Sequence, residues 1–385
     1  MLDVVVVGGG PAGLYSALLL AEEGFDVVVL EEHETLGAPT HCTGIVSDEL
    51  SDLFKISESL VLNRPTVCLI HSPAGRVFPF ASNGEGIAVI DRGEFDRDLG
   101  AAAQRAGVEI RTGFRAERLR AEPRSMRIEG PAGVLSARVC ILACGVGYGL
   151  QRQLGLELPS LFLHSAQVEV DTRDGPSMVE LYLGREVAPE GFGWTVPVMR
   201  GERPRMKVGV VARGDAEQCL EGLLATPGVT ERVVSVPGIP VRRLLPLTPA
   251  RRSYGHRVVT VGDAAGLTKP TTGGGIFYSL LSGLLAAETL TGALRRDRLE
   301  AGDLRAYEGR WRARLGPHLW ISSCVRRLFA RLTDPDLGKL LEALASEDVQ
   351  SVIRHTARFN WHGGLIRALL GQPGVKSTLF QAFLR

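Results

Sequence analysis

The sequence predicts a mixed α/β protein, α+β overall, in which a mostly parallel sheet with covering helices carries an inserted antiparallel sheet and is followed by a helical region. Three observations predict this architecture. A glycine-rich turn follows the valine run Val4–Val7. Alternating apolar and polar residues occupy several stretches of 164–212. Apolar residues at helical spacing dominate the chain beyond residue 303.

The first element is a buried strand at Val4–Val7, because a continuous β-branched run fits a strand covered on both faces. Apolar residues with helical spacing then predict a helix over Pro11–Gly24, and Val27–Leu30 is the next buried strand. Residues 4–30 therefore form a βαβ unit, the building block of a Rossmann-type sheet.

The later elements follow from the same two periodicities. In chain order we predict two short strands within 66–80 around a turn at Ser72–Gly75, a helix at Asp91–Ala106, strands at Val108–Arg111 and Val139–Ala143, antiparallel strands at Gln167–Val170, Val179–Leu183, Trp194–Val198 and Met206–Val211, a strand at Arg257–Val261, and a helix at Gly274–Leu294.

Changes in pattern along the chain predict three domains, and 385 residues suffice for two or three compact units. The first is a discontinuous nucleotide-binding domain of residues 1–65, 86–163 and 250–302. The second is the antiparallel-sheet domain of residues 66–85 and 164–249. The third is the helical region 303–385.

The first chemical signal is the G-x-G-x-x-G turn between the first strand and helix. Its glycines permit a tight turn, close approach of a pyrophosphate, and close helix packing. The N-terminus of the helix offers N–H groups to phosphates. Glu31, at the end of the second strand, is the predicted ribose ligand, and Glu32 is the neighbouring candidate. The predicted dinucleotide-binding residues of this region are Gly8, Gly10, Pro11, Ala12, Gly13, Glu31 and Glu32.

A second glycine-rich stretch, residues 260–275, indicates which dinucleotide binds, because FAD is long enough to need a contact at each end. Gly262 and Asp263 follow the predicted strand Val258–Val261 directly, and the end of such a strand is a position suited to the ribityl chain and pyrophosphate. The segment from Lys269 to Gly275 opens a helix whose first N–H groups suit the pyrimidine edge of a flavin. The predicted flavin contacts here are Gly262, Asp263, Gly273, Gly274, Gly275 and Ile276.

These residues resemble the FAD-dependent oxidoreductases of the p-hydroxybenzoate hydroxylase-like superfamily, whose cofactor domain is of the p-hydroxybenzoate hydroxylase/glutathione reductase type. The run Asp91–Asp96 resembles its R-x-x-F-D element, which adds Arg92 to the cofactor residues. The run Val139–Gly145 resembles its strand-and-glycine element, which adds Gly145. The glycine spacing of Gly145–Gly149 is similar to that of a second nucleotide-binding loop. However, no βαβ unit with an acidic residue for a ribose follows it. The sequence therefore predicts no separate NADPH domain.

Within that superfamily the chain is most similar to the geranylgeranyl reductase family, which includes digeranylgeranylglycerophospholipid reductases. Pro39–Ser47 resembles the family's C-x-G loop, and Lys269–Ile276 resembles its flavin loop. Gly191–Pro197 is similar to its Y-x-W-x-F-P strand, with Phe192 in place of Tyr and Val196 in place of Phe. The resemblance spans about residues 1–300. It implies reduction of C=C bonds in a geranylgeranyl or polyprenyl chain by hydride from reduced flavin.

The resemblance also implies further site residues. It places Cys42 and Gly44 near the flavin ring, with Cys42 and His41 as candidate acids. Cys42 could also hold a redox state or be a small packing residue that shapes the pocket. Phe192, Trp194 and Pro197 are candidates for a wall that holds the prenyl chain, and ordinary core packing is the alternative for each. The residues alone identify no proton donor.

Other functions remain open at the level of sequence. A flavin monooxygenase acting on an aromatic or apolar small molecule is the main alternative, and a non-catalytic flavoprotein is a third. A flavin-dependent halogenase is disfavoured because its W-x-W-x-I-P pattern is not matched at Phe192 and lysines are scarce. The electron donor is left open between NAD(P)H and a carrier protein such as ferredoxin.

Charge and apolar patterning bear on partners and location. A net charge of +1 gives no general attraction to nucleic acid, but residues 303–385 hold 13 Lys/Arg against 7 Asp/Glu. Helices such as Leu315–Leu332, with Arg326, Arg327 and Arg331, could rest on an anionic membrane that holds a prenyl lipid. We expect a cytoplasmic protein without a signal peptide, bound peripherally to the inner face of the membrane.

The remaining expectations concern cysteines and membrane spans. The apolar run Ile276–Ala287 is too short to span a bilayer and predicts a buried helix. The six cysteines have no metal-type spacing, so we expect free thiols and no metal site. The oligomeric state is not predicted.

Overall fold

The structure, a computed structural model, describes residues 1–81, 84–173 and 178–383; the rest of the predicted domain ranges lies outside the described residues. The strands are β1 (Leu2–Val7), β2 (Val27–Leu30), β3 (Ile45–Ser47), β4 (Val61–Asn63), β5 (Val67–His71), β6 (Val77–Ala81), β7 (Ile87–Ile90), β8 (Glu109–Arg111), β9 (Arg118–Ala121), β10 (Met126–Gly130), β11 (Gly133–Leu142), β12 (Phe162–Thr172), β13 (Val179–Tyr182), β14 (Phe192–Arg200), β15 (Arg203–Ala212), β16 (Val233–Ser235), β17 (Val241–Pro246), β18 (Tyr254–Gly255) and β19 (Val258–Thr260).

The helices are interspersed among these strands up to residue 295, and the described chain beyond it forms helices. They are α1 (Pro11–Glu22), α2 (Arg92–Arg105), α3 (Gly149–Gln153), α4 (Ala216–Leu224), α5 (Pro227–Thr230), α6 (Ile276–Arg295), α7 (Ala301–Phe329), α8 (Asp334–Leu344), α9 (Glu347–Thr356), α10 (His362–Leu370) and α11 (Pro373–Phe383).

The chain divides into two compact units. Unit 1 comprises Met1–Thr40, Arg92–Phe162 and Pro246–Leu319. Unit 2 comprises His41–Asp91, Leu163–Leu245 and Trp320–Arg385. The predicted division into three domains differs from this one in its helical tail, whose first part, up to Leu319, belongs to unit 1. The predicted boundaries stay a prediction.

Unit 1 is built on a mainly parallel sheet in the order β18-β19-β11-β1-β2-β8. The central strand β1 pairs in parallel with both β11 and β2, with Val4 opposite Val139 and Val27. The predicted βαβ unit is confirmed, because α1 connects these two parallel strands. The antiparallel strands β9 and β10 extend from β11, and the sequence did not predict them.

The helices of unit 1 pack tightly on this sheet. Gly283 of α6 lies so close to α1 that a Cβ there would be 2.9 Å from the Ala12 carbonyl oxygen. The apolar stretch Ile276–Arg295 is the one described helix long and apolar enough to cross a membrane, but 72% of the relevant window is buried inside the protein. This agrees with the predicted buried helix.

Unit 2 contains a mixed sheet in the order β16-β12-β15-β14-β13-β5-β6, with β17 also paired to β12. The predicted antiparallel pattern is correct for β12, β15 and β14. It is wrong at one pair, because β13 runs parallel to β5. These strands come from distant stretches of the chain, so no hairpin turn dictates their direction.

One face of this sheet is covered by α4 and α5. Val168, Met206, Val208 and Val210 form a buried cluster with Leu220. A second small sheet, β3-β7-β4, also belongs to unit 2. The predicted helical tail is confirmed by α7–α11. All six cysteines are free thiols, as expected.

Candidate functional site

The glycine turn of unit 1 joins β1 to α1. Gly8 has a φ of 113°, and a Cβ there would be 2.3 Å from the Ala143 carbonyl oxygen. A Cβ on Gly13 would be 2.1 Å from the Gly8 carbonyl oxygen. Gly10 differs, because no heavy atom of the described residues lies within 4 Å of its Cβ position. The turn therefore leaves free space at Gly10, where the motif predicts the pyrophosphate.

The start of α1 is suited to bind an anion. Its N-cap residue Gly10 makes no side-chain cap, and Pro11 occupies the first helical position. Amide N–H groups of a first helical turn without a side-chain cap are free to donate to a ligand, and the helix dipole favours negative charge there. Pro11, Ala12 and Gly13 thus occupy the positions that the sequence assigned to phosphate binding.

Glu31 lies directly after β2 and faces the glycine turn. Its Oε2 accepts a hydrogen bond of 2.7 Å from the Gly9 N–H, and its Oε1 accepts one of 2.9 Å from the His33 N–H. Glu32 instead is mostly exposed, with Oε2 at 3.7 Å from Nε of Arg115. Of the two acids, only Glu31 is held at the turn.

The second glycine stretch packs directly on the first. A Cβ on Gly262, which has a φ of 57°, would be 3.0 Å from Cβ of Ala12. The Gly262 N–H donates to Oγ of Ser282 on α6 at 2.9 Å. Two motifs that are distant in sequence therefore meet in space and form one cradle.

Asp263 is the most perturbed acid of this cradle. Burial raises the pKa of Asp263 to about 6, and the Arg92 guanidinium opposes the rise. The segment around it is fixed through its backbone, since the Tyr148 hydroxyl donates to the Asp263 carbonyl oxygen at 3.0 Å. A strand-end carboxylate with this environment can accept a hydrogen bond from a sugar-like hydroxyl of a bound cofactor.

The loop before α6 closes on itself. The Lys269 N–H donates to the Gly274 carbonyl oxygen at 3.0 Å, and the Gly273 N–H donates to the Lys269 carbonyl oxygen at 2.7 Å. Gly275 is the N-cap of α6 and provides no side-chain cap. The N-terminus of this long helix, which begins at Ile276, thus lacks a side-chain cap, and its dipole favours the negatively polarised edge of a flavin.

Two further predicted cofactor residues lie in unit 1. Arg92, at the start of α2, holds Asp96 through Nε and Nη2 at 3.1 and 2.9 Å. Gly145 follows β11 with a φ of 56°, and its Cβ position is open. The segment after it leads into the five-residue helix α3.

The residues predicted to act on substrate lie in unit 2. Phe192 and Trp194 project from the same face of β14, with ring centroids 5.9 Å apart. Trp194 covers Gly209 of the neighbouring strand, where a Cβ would be 2.3 Å from the indole ring. Pro197 is an odd number of residues away, so strand alternation places its ring on the opposite face. Phe192 and Trp194 can form one wall, to which the Pro197 ring does not belong.

The segment 41–44 is held by two polar side chains that the sequence analysis did not assign to the site. Lys207 Nζ donates to the Thr43 carbonyl oxygen at 2.9 Å, and Gln167 Nε2 donates to the Cys42 carbonyl oxygen at 3.3 Å. The Gly44 N–H donates to Cys42 Sγ at 3.3 Å. The only sequence signal for this arrangement is a lysine inside the apolar run of β15.

Lys207 is almost completely buried, and its bond to Thr43 is the only one its ammonium group makes within the described part of the chain. Burial lowers the pKa of Lys207, while Cys42 and Glu169 oppose that shift. Glu169 also pairs with Arg200, whose Nε and Nη2 donate to its two carboxylate oxygens at 3.0 and 2.9 Å. A buried ammonium that makes no direct ion pair among the described residues is costly, so we expect Lys207 to position the segment 41–44 rather than to add stability.

Several buried polar atoms of unit 2 have no partner among the described residues. They include Nε2 of His41, Oε1 of Gln167 and Nε1 of Trp194. Burial and the charge of Arg243 lower the pKa of His41 to about 4, so its imidazole is neutral at pH 7. Gln167 and Trp194 stand opposite Gly209 on its two neighbouring strands. The two atoms offer one acceptor and one donor to a water or bound molecule.

Comparisons with known proteins identify the family. A sequence model described as FAD dependent oxidoreductase matches residues 3–63. The chain is 31% identical to digeranylgeranylglycerophospholipid reductase 2 of Methanopyrus kandleri, covering 91% of this chain and 92% of that protein. It is also 31% identical to digeranylgeranylglycerophospholipid reductase of Methanothrix thermoacetophila, covering 91% and 93%.

Solved structures agree on the fold. A geranylgeranyl bacteriochlorophyll reductase-like protein of Thermoplasma acidophilum superposes with a TM-score of 0.86 at 22% identity, covering 99% of both chains. The halogenase PltM in complex with phloroglucinol and FAD gives a TM-score of 0.70 at 17% identity, covering 99% of this chain and 90% of that one. The predicted fold and family are confirmed: this chain belongs to the digeranylgeranylglycerophospholipid reductase family of FAD-dependent oxidoreductases.

Proposed function

We propose that this protein binds FAD and reduces C=C bonds in a geranylgeranyl or other polyprenyl chain, carried by a lipid, a diphosphate or a quinone. The observation that carries the proposal is the similarity to digeranylgeranylglycerophospholipid reductases at 31% identity over 91% of the chain. The cradle formed by the two glycine stretches supports it, because its helix N-termini lack side-chain caps and suit the phosphates and the ring edge of FAD.

We expect the residues of unit 1 to contact the cofactor along its length. Gly10 and the first turn of α1 would receive the pyrophosphate, and Glu31 would accept the adenosine ribose hydroxyls. Asp263 would accept a hydroxyl of the ribityl chain. Gly273–Ile276 would face the pyrimidine edge of the ring with N–H groups. When bound and reduced, FAD supplies the hydride for one carbon of the alkene.

The residues of unit 2 would hold the substrate and supply the proton. An isolated alkene is weakly polarised, so the chain must fix it in place and exclude water. Phe192 and Trp194 provide an apolar wall for this purpose. We assign the proton for the second alkene carbon to the Cys42 thiol, because the neutral imidazole of His41 is suited to accept or relay hydrogen bonds rather than to act as a cationic acid.

The electrons would reach the flavin from outside the chain. Because the sequence predicts no separate NADPH domain, we propose either transient binding of NAD(P)H or transfer from a carrier such as ferredoxin. A prenyl lipid substrate lies in a membrane, so we also propose a cytoplasmic protein attached peripherally to the inner face of that membrane.

The test is anaerobic incubation of FAD-loaded, dithionite-reduced protein with three probes: geranylgeranyl diphosphate, a geranylgeranylated glycerolipid and menaquinone. Mass spectrometry should detect two added hydrogen atoms for each saturated bond. A hydroxylated product that forms only in air would instead support a monooxygenase. Absence of any mass change with all three probes would refute the reductase.

Gly10→Ala provides a cofactor control. Gly10 has a φ of −85°, which alanine tolerates, but the new methyl group would occupy the space assigned to the pyrophosphate. The variant should remain folded yet lose FAD and prenyl reduction together. The matched change Gly309→Ala, at an exposed glycine of α7 with open space around it, should leave both unchanged.

A further inference from the structure

The edge of the unit 2 sheet carries an unusual segment, residues 232–246, which comprises β16, β17 and the turn between them and is called the edge segment below. It contains three arginines and no acidic residue. Both of its strands pair with β12. The segment therefore lies at a sheet edge, where surfaces for contact with other molecules are common.

Large apolar side chains of the edge segment face solvent. Ile239 is 88% exposed, Val234 is 59% exposed and Val236 is 48% exposed. Soluble proteins rarely concentrate exposed aliphatic side chains in so short a stretch without a binding role. The structure thus presents an apolar tip at the turn between β16 and β17.

The backbone of this tip is suited to an apolar environment. Pro237 and Pro240 flank the turn and carry no N–H group. Fewer backbone N–H groups therefore lose their hydrogen bonds to water when the turn enters the membrane interface. The two rings also restrict the backbone, which reduces the entropy lost on docking.

Positive charge lies beside the apolar tip. Arg232 is engaged with Glu180, and Arg242 is paired with Glu217 at 2.7 Å. Arg243 is exposed and donates to the Arg242 carbonyl oxygen at 3.2 Å, but it has no carboxylate partner within the described residues. Exposed aliphatic residues next to an unpaired arginine match the headgroup region of an anionic bilayer.

A cavity of about 480 Å³ opens beside these arginines. Its lining includes Arg242, Arg243, Leu244, His164 and Ser165, together with Asp215 and Glu217. Asp215 caps α4 by accepting from the N–H groups of Glu217 and Gln218, and Glu217 pairs with Arg242. With both acids engaged, Arg243 is the charged side chain of this lining that has no carboxylate partner among the described residues.

We propose that the edge segment docks the protein on an anionic phospholipid membrane, with Ile239 inserted into the interface and Arg243 binding lipid phosphate. This inference rests on the proposed function, which places the substrate in a membrane. It assigns docking to a surface other than the helical stretch 315–332. There Leu315, Leu319 and Leu332 are buried, and Arg326 is buried and donates to the Glu190 carbonyl oxygen.

The experiment is co-sedimentation of the full-length, FAD-loaded protein with vesicles of phosphatidylcholine alone or mixed equally with phosphatidylglycerol. Wild-type protein should bind the mixed vesicles, and high salt should weaken binding. Ile239→Asp should reduce the affinity for mixed vesicles at least about tenfold. Arg243→Gln should reduce it about fivefold and should have little effect on vesicles of phosphatidylcholine alone.

Matched controls place the same chemical changes elsewhere. Val134→Asp alters an exposed valine of β11 in unit 1, and Arg251→Gln alters an exposed arginine of the same unit. Both should bind vesicles as wild type does. Trp320→Ala, at an exposed residue of α7, tests the helical surface directly and should also leave binding unchanged.

Three outcomes would overturn the proposal: equal vesicle binding by Ile239→Asp and wild type, equal losses in Ile239→Asp and Val134→Asp, or a loss of self-association in Ile239→Asp without a loss of vesicle binding. The last result would assign the segment to contact with a second copy. Vesicle binding needs no turnover, so it is independent of the reductase assay. Reduction of soluble geranylgeranyl diphosphate should persist in Ile239→Asp.

Discussion

Unit 1 and unit 2 prepare their candidate sites in different ways. In unit 1 the important positions are glycines, where a missing side chain lets backbone segments meet or leaves space for a ligand, as at Gly13 and Gly10. In unit 2 the important positions are buried polar side chains, such as Lys207 and Gln167, which hold a distant loop. The site in unit 1 therefore depends on positions that carry no side chain, whereas the site in unit 2 depends on individual hydrogen bonds made by side chains.

The largest effect should come from filling the closest backbone contact of unit 1. Gly13→Ala places a methyl group 2.1 Å from the Gly8 carbonyl oxygen, where neither partner can rotate away. We expect the free energy of unfolding to fall by about 3 kcal/mol or more, measured by urea denaturation. Gly10→Ala should change it by less than about 0.5 kcal/mol. Equal stability of the two variants would break the proposed contrast between packing and ligand space.

The second-largest effect should come from Asp263, the carboxyl group of unit 1 whose pKa is raised by burial. Burial raises the pKa of Asp263 from 3.8 to about 6, so the folded protein binds this proton more tightly than the unfolded chain does. Its contribution to stability is therefore fully present below about pH 4 and is lost as the pH rises through about 6. Because the residue keeps some exposure to solvent, the cost at pH 7 is at most about 3 kcal/mol.

Asp263→Asn should remove that pH dependence. Cofactor-free variant should be more stable than cofactor-free wild type at pH 7.5, and the difference should vanish near pH 4, as measured by urea unfolding. FAD affinity should fall, because the carboxylate acceptor is lost. Asp98→Asn, at an exposed residue of α2, is the matched control. A stability difference that does not depend on pH would contradict the assignment.

The smallest effect tests the side-chain-built site of unit 2. Lys207→Met removes the hydrogen bond to the Thr43 carbonyl oxygen and also removes a buried charge, so global stability should change little. Loss of one hydrogen bond of about 1 kcal/mol should let the segment 41–44 open about fivefold more often. Alkylation of Cys42 at fixed pH, followed by peptide mass spectrometry, should accelerate by the same factor.

Lys55→Met, at an exposed lysine, is the control for that experiment and should leave the alkylation rate unchanged. An unchanged rate in Lys207→Met would show that Gln167 alone suffices to hold the segment. Either of the two hydrogen bonds to the segment 41–44 would then be enough to hold it, and no single polar side chain would be decisive in unit 2.

The sequence predicted most of unit 1 because its signals are local. Buried strands read as uninterrupted β-branched runs, and Val27–Leu30 matches β2 residue for residue. Short strands with weak periodicity were missed, including β3, β4, β9 and β10. In those strands pairing with a remote partner, rather than local propensity, determines the extended conformation.

The candidate site likewise contains residues that the sequence predicted and residues that it did not. Glycine spacing and the acid after β2 predicted where the cradle would be, since each belongs to a short continuous motif. The roles of Lys207 and Gln167 were not predicted, because their partners at residues 42 and 43 are more than a hundred positions away along the chain. The orientation of Pro197 away from Phe192 and Trp194 follows from strand alternation once β14 is known to run from Phe192 to Arg200.

The α/β architecture, the family and the two glycine stretches could be predicted from the sequence, because periodicity and motif spacing are local properties of a chain. Three features became known only from the folded chain: Gly262 packs on Ala12 so that the glycine stretches form one cradle, Lys207 holds the Cys42 segment, and Ile239 is exposed in the same edge segment as Arg243. Each of these depends on which distant segments meet and which side chains lose contact with water, and those are consequences of packing.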